Sequence, residues 1–121
     1  MKQSTIKQSV SCSGVGLHSG KLVTLTLHPA AENTGIVFDI HASSGVHRVE
    51  PSPQAAVATG LATTLGVPGA SVATVEHLLA ALRGLEVDNV IIEIEGGEVP
   101  IMDGSAASFA LLIRNAGIIR Q

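Results

Sequence analysis

The adjacent pair Glu76-His77 is the strongest candidate for chemistry in this sequence. Histidine is the commonest metal ligand in proteins, and a neighbouring glutamate can accept a proton from water at a metal. On a helix the two side chains point about 100° apart, so one can bind an ion while the other acts as a base. No second histidine lies one turn away, so this helix cannot supply a complete zinc site alone. A helix histidine packed in a domain contact, beside a solvated glutamate, is the alternative interpretation.

The other candidate residues give weaker signals. The glycine-rich segment 13–20 could bring its backbone close to a ligand, but a strand rather than a helix follows it, so a tight hairpin turn is the simpler interpretation. Asp103-Gly104-Ser105 is typical of a turn into a capped helix. His28, His41 and His47 have no partners at useful spacing, and we expect them at surface or edge positions.

Several strands must support these residues. Ile6 and Val10 indicate strand structure near the N-terminus. Alternation of apolar and polar residues predicts further strands over 21–28, 35–40 and 87–95. Prolines at positions 51, 53 and 68 exclude a long regular element between residues 41 and 70.

Two helices are predicted around and after the Glu76-His77 pair. The first is capped by Ser71 or Thr74 and ends at Gly84. The second opens at Ser105 and stops at Gly117. This order of elements predicts an α+β fold, a two-layer sandwich in which a mostly antiparallel sheet packs against two helices.

The first helix has two distinct faces. The side around His77 has small residues instead of the charged residues of a solvated face, namely Ala73, Ala80, Ala81 and Gly84. The opposite side is an apolar stripe made of Val72, Val75, Leu78, Leu79 and Leu82. Small residues let another backbone come close, so we expect protein to cover the side around His77.

The composition agrees with a partner surface. A length of 121 residues fits one domain. Of these residues, 45% are hydrophobic and 14% are charged. The mean hydropathy of +0.42 is high for a lone small domain, much of whose surface must face water. A net charge of −3 and an aromatic content of two Phe argue against nucleic-acid binding. The single Cys12 excludes internal disulfides and a cysteine-rich metal site. Met1-Lys2-Gln3-Ser4 opens no secretory apolar region, and no stretch predicts a membrane span, so we expect a cytoplasmic protein.

Taken together, several segments resemble the UDP-3-O-acyl-N-acetylglucosamine deacetylase family, zinc amidases that commit lipid A synthesis in Gram-negative bacteria. The resemblance runs nearly from end to end. In chain order the matching segments are Gly14-Val15-Gly16-Leu17-His18-Ser19-Gly20, Asn33-Thr34-Gly35-Ile36-Val37-Phe38, Thr63-Thr64-Leu65, Thr74-Val75-Glu76-His77-Leu78-Leu79-Ala80-Ala81, Asp88-Asn89 and Val99-Pro100-Ile101-Met102-Asp103-Gly104-Ser105-Ala106.

The resemblance implies a role for each candidate residue. It makes His77 a Zn²⁺ ligand and Glu76 the general base, and it places Leu17, His18 and Thr63 among the substrate-binding residues near the cleft. The substrate would be UDP-3-O-acyl-GlcNAc, which loses acetate from its 2-amino group. Enzymes of this family have two similar α+β domains, and this sequence resembles the first alone. The remaining zinc ligands, a histidine and an aspartate, come from the second domain, so the zinc site of this chain is incomplete.

Three hypotheses follow for the chain. The first is the N-terminal half of the deacetylase, inactive until the C-terminal domain is supplied. The second is a stand-alone, non-catalytic paralogue that acts as a binding or regulatory module, although such a module would not need to keep Glu76 and His77. The third is a homodimer in which a second copy takes the place of the missing domain.

Overall fold

The computed structural model describes residues 2–16, 20–42, 45–50, 56–58, 63–67, 70–73, 75–96, 99–100 and 106–121. Its helices are α1 (Glu76–Gly84) and α2 (Ala106–Ala116). Its strands are β1 (Ser4–Ile6), β2 (Val10–Val15), β3 (Leu22–Pro29), β4 (Ile36–Ala42), β5 (Gly45–Val49), β6 (Ala56–Ala58), β7 (Thr63–Val67), β8 (Ala70–Ala73), β9 (Val90–Glu95) and β10 (Ile118–Arg120).

A five-stranded sheet with the order β2-β3-β9-β4-β5 forms one layer of the molecule. Its strands pair antiparallel, except that β4 and β9 run parallel. Parallel neighbours need a long crossover, and here the chain passes through α1 between them. Two smaller sheets, β1-β10 and β6-β7-β8, complete the described strands. The predicted α+β sandwich with a mostly antiparallel sheet is confirmed.

Every second side chain of β3 and β9 points into the core. In β3 the residues Val23, Leu25 and Leu27 are fully buried, and in β9 so are Val90, Ile92 and Ile94. Because successive strand residues point to opposite faces, the residues between them lie on the outer face of the sheet. The helices α1 and α2 pack on the inner face and add to one continuous core with Leu78, Leu82, Phe109 and Ile113.

The second helix ends where its sequence predicts. Gly117 follows α2 directly with φ +81, a conformation that favours glycine. Its N–H donates to the carbonyl oxygens of Ile113 and Arg114, each at 3.1 Å, which satisfies two carbonyls of the last turn.

Within the part of the chain that the structure describes, neither α1 nor α2 is long and apolar enough to span a membrane.

The start of the first helix differs from its prediction. Residues 70–73 form strand β8, which pairs antiparallel with β7 and sets Val72 opposite Leu65. Helix α1 begins only at Glu76, and its N-cap, Val75, makes no side-chain capping hydrogen bond. The predicted cap Ser71 is therefore wrong, since it lies in β8, and the other predicted cap, Thr74, lies outside the described residues. Val72 does not belong to the helical stripe. A short apolar window fits a strand as well as a helix, and pairing with β7 favours the strand.

Candidate functional site

Glu76 and His77 are the first two residues of α1, and both are exposed. The apolar residues on either side hold this turn in place: Val75 and Leu78 are fully buried, and the Leu79 N–H donates to the Val75 carbonyl at 3.0 Å. A carboxylate in the first turn is also favoured by the helix dipole. The pair thus projects from a firmly packed helix end.

The surface around His77 is open in this chain. Ala80 and Gly84, one and two turns further along, are exposed. Ala81 is an exception to the prediction, since it is 5% exposed and lies where α1 packs against α2. Ala73, the fourth predicted member of this surface, belongs to β8 instead. The side of α1 around His77 therefore has small residues, as predicted, but within the described part of the chain nothing buries His77.

The exposed surface of α1 continues onto α2. A shallow groove of about 310 Å³ runs between the helices, and Leu111 of α2 is 61% exposed. The groove is lined by Ala81, Gly84, Leu85, Ala107, Ala110 and Arg114. We call the exposed residues Glu76, His77, Ala80, Gly84, Ala107 and Leu111 the outer helical face.

The donor chemistry at Glu76 and His77 fits part of a zinc site. An imidazole and a carboxylate are both zinc ligands, and both are accessible here. A closed or catalytic site needs at least three protein donors. Among the described residues, the group of three such donors within reach of one ion lies elsewhere, at His41, Glu93 and Glu95. A site at His77 therefore requires donors from outside the described residues.

The predicted substrate-binding residues fall mostly outside the described residues. Leu17 and His18 lie outside the described residues. Their neighbours Gly16 and Gly20 close the hairpin between β2 and β3. The Gly16 N–H donates to the Lys21 carbonyl at 2.9 Å, and the Gly20 N–H donates to the Gly16 carbonyl at 3.0 Å. Thr63 opens strand β7, of which the structure describes the backbone. The hairpin agrees with the simpler interpretation of this segment, and the substrate contacts stay predictions.

A second group of titratable residues, which the sequence did not predict, lies on the five-stranded sheet. His28 Nε2 lies 3.0 Å from Glu93 Oε1, and His41 Nε2 lies 2.6 Å from Glu93 Oε2. The expectation that these histidines lack partners is therefore wrong. Strands β3, β9 and β4 are neighbours in the sheet, so they join residues that lie 52 and 65 positions apart in sequence. His47 lies on the edge strand β5, as expected.

The electrostatics of this group are set by the shared carboxylate. Hydrogen bonds from His28 and His41 lower the pKa of Glu93 below its ordinary value. The other nitrogen of His28, Nδ1, lies 3.0 Å from Ser9 Oγ. In the sequence, His28, His41 and Glu93 each stand next to core residues in a strand. This alternation predicts that their side chains point away from the core, but it does not predict that they contact one another.

Comparison with known proteins covers almost the whole chain. A family model described as UDP-3-O-acyl N-acetylglycosamine deacetylase matches residues 3–121. Curated relatives with the name UDP-3-O-acyl-N-acetylglucosamine deacetylase include a protein of Nitratidesulfovibrio vulgaris, 74% identical over all 121 residues. A protein of Oleidesulfovibrio alaskensis is 65% identical over the same length, and one of Lawsonia intracellularis is 53% identical over 118 residues, or 98% of the chain. The chain spans 39%, 40% and 39% of the lengths of these three relatives.

Proposed function

The chain belongs to the UDP-3-O-acyl N-acetylglycosamine deacetylase family, and we propose that residues 1–121 are the N-terminal domain of a zinc-dependent deacetylase of lipid A biosynthesis in Gram-negative bacteria. The reaction would be hydrolysis of the acetamide of a UDP-3-O-acyl-N-acetylglucosamine, which releases acetate and leaves a free 2-amino group. The observation that supports this function is the family match from residue 3 to residue 121. A cytoplasmic location stays a prediction that cell fractionation can test.

The proposed chemical roles fall on the exposed start of α1. His77 would hold zinc through its imidazole, and Glu76 would accept a proton from the attacking water. When bound, zinc lowers the pKa of water and polarises the amide carbonyl. Both side chains are exposed on a helix end that is held by buried Val75 and Leu78, and this accessibility supports the proposed roles.

A complete site would need a second protein surface over the outer helical face. The described donors at His77 are too few for zinc, and the chain has about two-fifths of the length of its relatives. The small residues Ala80 and Gly84 leave room for a close approach, and Leu111 offers exposed apolar area. We propose the C-terminal domain as the occupant. A second copy of this chain is the alternative, because the same exposed Leu111 would also serve a homodimer.

Substrate contacts by Leu17, His18 and Thr63 form part of the proposal. These contacts are inferred from the resemblance between the family and the two segments that contain these residues. A stand-alone binding or regulatory module without catalysis remains the opposing hypothesis.

The test is complementation with the missing part. The 121-residue chain is mixed with a separately produced C-terminal remainder of the Nitratidesulfovibrio vulgaris relative, and acetate release from UDP-3-O-acyl-GlcNAc is measured. We expect activity from the mixture and none from either part. In the mixture, Glu76→Gln and His77→Ala should lower kcat at least about 100-fold, the lower end of the effect of losing a catalytic proton-transfer group.

Two controls make this result specific. Glu32→Gln removes the same charge at an exposed position in the loop between β3 and β4 and should leave kcat unchanged. Leu111→Glu should prevent co-elution of the two parts in gel filtration. Equal activity of the 121-residue chain alone would contradict the incomplete site, and a dimer of this chain that Leu111→Glu dissociates would favour the second copy as the occupant.

A further inference from the structure

The outer face of the five-stranded sheet, turned away from both helices, has a cluster of metal-ligating side chains. Ile92 and Ile94 of β9 are fully buried in the core, so Glu93 and Glu95, which alternate with them, point to the opposite face. Strand β4 runs parallel beside β9 and sets His41 level with Glu95. The cluster is therefore separated from Glu76 and His77 by the sheet itself.

We propose that His41, Glu93 and Glu95 form a binding site for a divalent transition-metal ion of the zinc class. One ligand atom from each residue lies within 4.8 Å of the others. One imidazole with two carboxylates suits zinc and its neighbours, whereas an imidazole disfavours Mg²⁺ and Ca²⁺. Tetrahedral zinc with bonds of about 2.1 Å needs donors about 3.4 Å apart, a spacing that rotation of the exposed Glu95 side chain can reach.

The charges on this face favour a cation. Asp39, which lies level with Glu93, accepts two hydrogen bonds from Arg48, at 2.8 and 2.9 Å, so that guanidinium is already engaged. Glu93 and Glu95 add two carboxylates to this face. The Glu93 side chain is one-third exposed, so an ion can reach it from solvent.

His28 acts as a positioning residue for this site. Because a carboxylate only accepts hydrogen bonds, His28 Nε2 donates to Glu93 Oε1, and this leaves Oε2 directed at His41. Such hydrogen bonds from neighbouring residues orient ligating carboxylates in metal sites. His41 Nε2 also contacts Glu93, so an ion bound at that nitrogen would take the place of this hydrogen bond.

Metal at this site would link β4 to β9. The two strands are parallel neighbours in the sheet, but in sequence they are separated by residues 43–89. A metal ion would therefore connect two parts of the chain that are far apart in sequence. An ion that binds the paired strands and not the unfolded chain stabilises the fold.

The test is a titration of the metal-free, ¹⁵N-labelled 121-residue chain with Zn²⁺ at neutral pH, followed through the imidazole ¹⁵N resonances in NMR spectra. We expect the His41 resonances to shift at micromolar Zn²⁺, and the thermal unfolding midpoint to rise. By calorimetry, Glu95→Gln and His41→Ala should each weaken Zn²⁺ binding at this site at least tenfold. Glu95→Gln leaves the ion pairs of Glu93 intact and should preserve the fold.

Two further variants separate this site from the proposed catalytic one. His77→Ala should leave the shift of the His41 resonances unchanged, whatever it does to deacetylation. Glu32→Gln, a matched removal of an exposed carboxylate charge in the loop between β3 and β4, outside the cluster, should change Zn²⁺ affinity by less than twofold. Unmoved His41 resonances at saturating Zn²⁺, binding only at millimolar Zn²⁺, or unchanged affinity in Glu95→Gln and His41→Ala would overturn the proposal.

Discussion

Asn89→Ala should be among the most destabilising single changes in this chain. Asn89 is 1% exposed, and its side chain ties together segments that are distant in sequence. Its Oδ1 accepts from the Gly35 N–H at 2.8 Å, where β4 begins. Its Nδ2 donates at 2.8 Å to the side-chain oxygens of Gln3 and of Gln121. One amide therefore joins the segments before β1 and after β10 to the start of the parallel pair.

The size of the effect follows from these three hydrogen bonds. Each contributes about 1 kcal/mol net, so their loss costs about 3 kcal/mol of unfolding free energy. Urea denaturation followed by circular dichroism measures this directly. At an m-value of about 1.5 kcal/mol/M, the midpoint should fall by about 2 M with no change of slope.

The control is the same substitution at an exposed site. Asn115 lies exposed near the end of α2, and Asn115→Ala should change stability by less than about 0.5 kcal/mol. A loss below about 1 kcal/mol in Asn89→Ala would refute the reasoning, because water would then replace the amide at little cost.

Two further predictions concern the sheet. Gly96 has φ +117, and a Cβ there would clash with Val23 Cγ1, so Gly96→Ala should lose about 3 kcal/mol of unfolding free energy in urea denaturation. Gly84→Ala, with no atom within 4 Å of the new Cβ, should change stability by less than about 1 kcal/mol, and equal losses would contradict the steric argument. Because the pKa of Glu93 is lowered, its stabilisation is present above an unfolded-state pKa of about 4.3 and is lost as pH falls through the lower folded value. The stability difference between the wild type and Glu93→Gln should therefore shrink between about pH 5 and pH 2 in denaturation curves, and a constant difference would show that Glu93 ionisation does not matter.

The candidate site was partly visible in the sequence. The spacing of Glu76 and His77 relative to the apolar residues Val75 and Leu78 predicted a helix that keeps the pair off its apolar stripe, and in the structure both side chains are exposed at the start of α1. Such local information sets which face a residue occupies once the element is known. The roles in zinc binding and proton transfer stay predictions, because they depend on donors outside the described residues.

The sequence by itself determined the elements whose signals are local. The alternation in β3 and β9, the end of α2 at Gly117 and the α+β class all follow from side-chain period and from backbone preferences of nearby residues. Only the tertiary structure decided that Val72 lies in a strand, that β4 runs parallel to β9, and that His28 and His41 share Glu93. The physical reason is that hydrogen bonding between strands joins residues from any distance along the chain, and periodicity within one segment contains no information about which segment will be its neighbour.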